Sequence, residues 1–241
     1  NRGLDFSKSH HLVLGYQHRF PFGINAKLEA YYQYLFDIPV QNTPSAYSIL
    51  NFGADFVSVI PSNLASDGTG ENYGVELTLE KFLDKGFYFM VTGSLYQSFY
   101  TASNDETYNT AFNGNYTFNA LVGYEFRFAN GKNALTLDGN FTLNGGRRYT
   151  PILLEESIMA GQEVRDMDLV FDATYSDYIR GDFRIAFKVI GKKVTQEWAM
   201  DIQNFTNRRN IFFQEYSPAS ESIRTTFQTG LLPIGQYRIY F

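Results

Sequence analysis

Cysteine is absent from the 241 residues. That excludes a disulfide framework, a cysteine-based zinc or iron–sulfur site and a cysteine nucleophile. Histidine is nearly as scarce, with three residues, and tryptophan occurs once. No apolar run approaches the roughly 18 residues of a membrane-spanning helix, and the mean hydropathy is -0.26. There is no excess of positive charge: 20 Lys and Arg stand against 25 Asp and Glu, for a net charge of -5. A surface that tracks a nucleic-acid backbone needs clustered cations, so no nucleic-acid partner is expected. The opening residues, Asn1-Arg2-Gly3-Leu4-Asp5-Phe6, lack the positive-then-apolar layout of a signal peptide. The chain is therefore expected to be mature or a piece of something longer. What is abundant is aromatic and small: 23 Phe, 18 Tyr and 20 Gly.

These residues recur with period two, the signature of half-buried strands. The spacing predicts strands over residues 10–20, 25–37, 71–82, 87–100, 115–128, 133–149, 178–190, 194–215 and 223–241. In the sixth, Leu135, Leu137, Phe141 and Leu143 share a face opposite Asp138, Asn140, Thr142 and Asn144. Short turns are expected at 21–24, 83–86, 129–132 and 191–193. Long connections are expected at 38–70, 101–113 and 150–177. Long strands with one apolar and one polar side, joined alternately by tight turns and long loops, fit an antiparallel transmembrane β-barrel. A soluble β-sandwich is the alternative, since its strands alternate as well.

The last seventy or so residues carry motifs that point further. They are Tyr178-Ile-Arg-Gly-Asp-Phe, Asn204-Phe205-Thr206-Asn207, and the ending Tyr237-Arg238-Ile239-Tyr240-Phe241. Together with Gly74-Val75-Glu76 and Gly145-Gly-Arg147-Arg148-Tyr149, this stretch resembles the closing strands of TonB-dependent outer-membrane receptors of the Bacteroidetes type. The resemblance implies about the last nine strands of a 22-stranded barrel, with neither plug domain nor TonB box present. Asn204, Phe205 and Asn207 would be the motif of the penultimate strand. Tyr237, Ile239 and Phe241 would be the signal read by the insertion machinery. It implies residence in the Gram-negative outer membrane, among lipid and lipopolysaccharide. It also implies uptake of a scarce ligand (metal chelate, vitamin, peptide or glycan) as a TonB-dependent receptor. The partners implied are the inner-membrane TonB complex, the plug, the remaining barrel strands and a surface lipoprotein. Two alternatives stay open: a structural or adhesion barrel that binds a protein through its long loops, and a complete barrel of eight or ten strands.

No enzymatic constellation assembles, and no cofactor is expected. Glu155-Glu156 and Asp166/Asp168 are carboxylate clusters on a predicted loop, without a counterpart on a rigid element. His10 and His18 fall on one face of their strand and His11 on the other, so they cannot coordinate one metal. Arg147 and Arg148 end the sixth strand at the long-loop rim. They are the candidate ligand-binding residues, because guanidinium pairs bidentately with carboxylate or phosphate. Interaction with anionic outer-leaflet sugars, or an internal ion pair with Glu155 or Glu156, is the plainer role.

Overall fold

The computed structural model describes residues 3–54, 61–128 and 131–241. Asn1 and Arg2, residues 55–60 of the expected connection 38–70, and half of the turn expected at 129–132 lie outside the described residues. The strands are β1 (Lys8–Arg19), β2 (Ile24–Gln41), β3 (Leu64–Asp84), β4 (Phe87–Thr101), β5 (Thr107–Asn109), β6 (Tyr116–Arg127) and β7 (Asn133–Asn144). After β8 (Arg148–Tyr149) come a short helix α1 (Leu154–Ala160) and β9 (Ala173–Thr174). The chain then continues through β10 (Tyr178–Ile190), β11 (Thr195–Gln203), β12 (Ile211–Ser217), β13 (Ser222–Phe227) and β14 (Leu232–Tyr240).

Ten strands form one antiparallel sheet in the order β1-β2-β3-β4-β6-β7-β10-β11-β14, with β5 paired to β4. The pairs β12–β13 and β8–β9 are separate. Two strands are longer than their apolar alternation suggests. β2 runs on to Gln41 and β3 begins at Leu64, and they remain paired through two irregularities between Leu35 and Val40. The strand expected over 194–215 is divided between β11 and β12. The one expected over 223–241 is divided between β13 and β14. A turn at residues 204–206 makes the first break and an irregular stretch at 228–231 the second, in a composition that still looks strand-like.

The register carries the alternation across the sheet. Leu14 faces Ala30, then Val75, Leu95 and Tyr116. Phe126 faces Leu135, then Phe187, Trp198 and Tyr237. One face is thus apolar from end to end, and among the described residues no second layer covers it: Leu14 is 77% exposed and Leu95 is 63% exposed. The other face is polar and cross-linked. Asn72 donates to Gln33 at 2.9 Å and accepts from Ser98 at 2.6 Å, and Thr110 donates to Ser98 at 2.8 Å. Tyr88 reaches over Gly123 to donate to Asp138. A Cβ at Gly123 would lie 2.2 Å from the Tyr88 ring, which explains a glycine in mid-strand.

The described residues close no barrel: the sheet is open, which overturns the transmembrane barrel of which this chain was expected to supply about the last nine strands. Among the described residues β1 pairs only with β2 and β14 only with β11. The path from β1 to β14 runs antiparallel throughout, and its nine strands are an odd number, so its two end strands point the same way. They cannot meet each other as an antiparallel pair. With closure go the TonB-dependent receptor resemblance, the transport function inferred from it and the outer-membrane location. The expectation failed for a physical reason. Period-two patterning and alternating short and long connections belong to any antiparallel meander with one apolar side, and neither encodes closure. Among the described residues no helix is long and apolar enough to cross a membrane.

Candidate functional site at the long-connection rim

Dry packing in this molecule lies beside the sheet, where the long connections fold over one rim. The connection after β2 contains a 3-10 turn, Ile49–Asn51, started by Ser48, whose hydroxyl accepts from the Leu50 amide. It lies over the start of β3. There Gly68 and Gly70 leave room for Val40 and Leu50, which would collide with a Cβ at either position. Tyr100 at the end of β4 is buried, and its hydroxyl donates to the Ala46 carbonyl at 2.8 Å. Burial pushes that phenol well above its ordinary range. Asn51 accepts from the Ala111 amide at 2.9 Å and so ties the next connection to the first.

Arg148 stands where three connections cross. Its Nε donates to the Asn113 carbonyl at 2.9 Å and its Nη2 to the Asn115 side chain at 3.3 Å. Its Nη1 donates to the carbonyls of Phe171 and Asp172 at 3.4 and 3.3 Å. Burial lowers the guanidinium pKa, partly opposed by the nearby Asp172 charge. The donors of Arg148 therefore fasten loops together. Beside it, the Arg147 carbonyl accepts from the Tyr175 amide at 3.0 Å. Tyr149 and Tyr175 stack with centroids 4.1 Å apart, and the Tyr175 hydroxyl accepts from the Gln214 amide at 3.2 Å.

The carboxylates of this region have local duties. Glu155 and Glu156 occupy the first turn of α1, where acids suit the helix dipole. Asp166 accepts from the Asp168 amide at 3.0 Å. Glu163 accepts from the Tyr216 amide at 2.9 Å and from Arg165 at 2.7 Å, joining the β12–β13 hairpin to the loop that follows α1. His10, His11 and His18 are all exposed on β1. Among the described residues no group of three His, Cys, Asp or Glu side chains could hold a metal ion.

Asn204 forms a second knot. It is 2% exposed, with φ at +48°. Its side chain donates to the carbonyls of Arg208 and Thr229, at 2.9 and 3.2 Å, and accepts from the Arg208 amide and the Thr206 hydroxyl, each at 3.2 Å. Phe205 lies over Gly181, and Asn207 accepts from the Leu231 amide at 3.0 Å. The whole Asn204–Asn207 motif thus binds the end of β11 to the start of β14. Asp182 supports it, accepting from the Asn204 amide and from Arg180, both at 2.7 Å. Burial opposes ionisation of Asp182, but these hydrogen bonds outweigh it and hold the carboxyl below its usual range. A depressed folded pKa gives stability that is present above the unfolded value of 3.8 and lost as pH falls through the folded value. Acid titration of wild type and Asp182→Asn, followed by amide exchange at Asn204, should therefore show extra opening below about pH 4 in wild type alone. Equal pH dependence in both proteins would remove Asp182 from this role.

On the polar face near the other rim, Glu197 is 3% exposed. Arg184 approaches it at 2.8 Å, Lys188 at 3.4 Å and Arg238 at 3.9 Å. Tyr240 donates to it at 3.3 Å. Arg184 also binds Asp201 at 3.0 Å, and Asp201 accepts from Gln236 at 2.6 Å. The cluster spans β10, β11 and β14. The Tyr237 and Trp198 rings meet tilted with centroids 5.4 Å apart, Ile239 lies on the apolar face, and Phe241 is 99% exposed.

No protein-family model matches the chain, and no curated protein matches it. Of the short motifs in residues 178–241, Gly181-Asp182 and Asn204–Asn207 meet in the knot around Asn204, whereas Tyr237–Phe241 lies apart from it. Sequence reading singled out Arg148 and Asn204, and the opposite charges of Arg180 and Asp182 are adjacent on the polar face of their strand, but it missed the roles of Asn113 and Glu197. Glu197 had one faint signal, a polar residue at a position flanked by strand residues, and Asn113 in its loop had none. That signal does not distinguish a wet side chain from a buried, fully bonded one.

Proposed function

We propose that the chain is a non-catalytic assembly element, a wall of β-structure whose working state has its apolar face covered by a partner that brings apolar side chains. One observation carries this reading. The apolar face runs unbroken over nine neighbouring strands and stays exposed, while the buried residues gather in the loop layer and under the polar cluster. Exposed apolar patches of more than a few hundred Å² mark interaction surfaces, and burial of such a face is the dominant driving force of association. The carboxylates best placed for chemistry, Glu197, Asp201 and Asp182, are held by arginines as structural ion pairs. The folded loop layer gives the wall a stiff rim for presenting a surface to other molecules.

The test replaces Leu14, Val75 and Leu95 together by serine, which removes apolar surface from one row without touching the loop layer. Binding of a hydrophobic fluorescent dye and self-association by light scattering should both fall, while the far-ultraviolet spectrum stays that of the parent sheet. Unchanged dye binding and association in a folded variant would refute the proposal.

A further inference from the structure

The outer edge of β1 is the least protected feature of the sheet. All twelve of its residues are exposed. The Phe20 amide donates to the Ile24 carbonyl at 2.8 Å, in line with the β1–β2 register, in which Arg19 faces Asn25. Antiparallel pairs alternate between bonded and non-bonded positions. The even-numbered residues of β1 therefore spend their main-chain groups on β2. Ser9, His11, Val13, Gly15, Gln17 and Arg19 aim theirs outward. Among the described residues no proline, bulge or covering loop blunts this edge, the devices by which sheets normally avoid pairing. The opposite edge differs, since β14 contains Pro233 and Gly235.

The side chains of β1 state what kind of strand would fit. Leu12, Leu14 and Tyr16 continue the apolar face and call for apolar residues at alternate positions opposite them. In a chain of net charge -5, β1 contains no Asp or Glu and carries Lys8, Arg19 and three histidines. Asp37 answers Lys8 from β2 at 2.6 Å. Arg19 and the imidazoles have no carboxylate on their own strand. A second copy of β1 laid antiparallel on this edge would set like charges against one another. An extended strand with acidic ends would not.

We infer that β1 is a docking edge for an extended, alternating apolar–polar segment with acidic residues at its ends, added to the sheet by main-chain pairing. This inference rests on the assembly reading and names one partner chemistry for it. The probe is a fluorescent, end-blocked Val–Thr alternating peptide with glutamate at both ends, compared with its lysine-ended counterpart. By anisotropy the glutamate peptide should bind about fivefold or more tightly than the lysine peptide. Amide exchange should slow at Ser9, His11, Val13, Gly15, Gln17 and Arg19, with the even-numbered residues of β1 unchanged. Val13→Pro removes an outward N–H that β2 does not use, so it should abolish binding while the sheet stays folded. Absence of binding, equal affinity for the two peptides, or protection that does not alternate would each overturn the inference. The serine triple variant reads the apolar face separately. Should the peptide fail while that variant still loses self-association, the assembly reading stands without this edge.

Discussion

Replacing Asn204 by alanine should be the most damaging single change in the molecule, at about 3–5 kcal/mol of unfolding free energy. The substitution leaves the Thr229 and Arg208 carbonyls and the Arg208 amide without their buried partner. Arg208 and Thr229 are themselves exposed, so each of the three groups is expected to cost near the low end of the range, about 1 kcal/mol. It also places a Cβ-bearing residue without a polar side chain at φ +48°, where asparagine is tolerated and alanine costs about 1 kcal/mol. Asn204→Gly separates the two contributions. It accepts the backbone conformation and loses the hydrogen bonds, so it should be the milder variant by about 1 kcal/mol. Urea denaturation of both variants provides the measurement. A loss under about 1 kcal/mol for Asn204→Ala would mean that the motif does not hold β11 to β14.

Gly145→Ala should come next, at about 3 kcal/mol. A Cβ at this position would stand 1.8 Å from the Gly114 carbonyl oxygen, and one at Gly146 would stand 1.8 Å from the Tyr175 carbonyl oxygen. Both obstacles are backbone, so relief requires the two connections to part, and with them the crossing that Arg148 fastens. Gly139→Ala, in the same part of the chain, is the control. A Cβ there meets nothing within 4 Å, and loss of the conformational freedom of glycine should leave that variant neutral or up to about 1 kcal/mol more stable. Thermal melts should separate the pair, with Gly145→Ala falling and Gly139→Ala holding or rising. If the two variants melt together, the close backbone approach at Gly145 has no energetic weight.

These sites show where sequence reasoning runs out. Alternation is local, so Leu135, Leu137, Phe141 and Leu143 declare a shared face from their spacing alone, and the register puts them on it. Closure is a property of the two most distant strands, and nothing in the spacing of β1 or β14 refers to the other. The division of residues 194–215 into β11 and β12 turns on Asn204 and Asn207, both at positive φ. In the sequence they look like polar residues of a continuing strand. Arg148 was legible as a guanidinium at a rim. Its acceptors are mostly carbonyls, which carry no side-chain signature, so its role as a fastener was hidden.

The insertion of the β12–β13 hairpin between β11 and β14 has a consequence in time. β1 and β2, or β10 and β11, pair across turns of a few residues, whereas β14 reaches β11 only after residues 204–231 have been looped out. Loop-closure entropy makes non-local pairings form later than local ones. β14 is therefore expected to dock after the β10–β11 hairpin has formed. The cations around Glu197 then take on a kinetic meaning. Arg184 and Lys188 from β10 can engage Glu197 before β14 arrives, whereas Arg238 and Tyr240 come with that strand. Contacts added after the main barrier chiefly slow unfolding, so this half of the cluster acts as a catch that sets how long the finished edge stays shut.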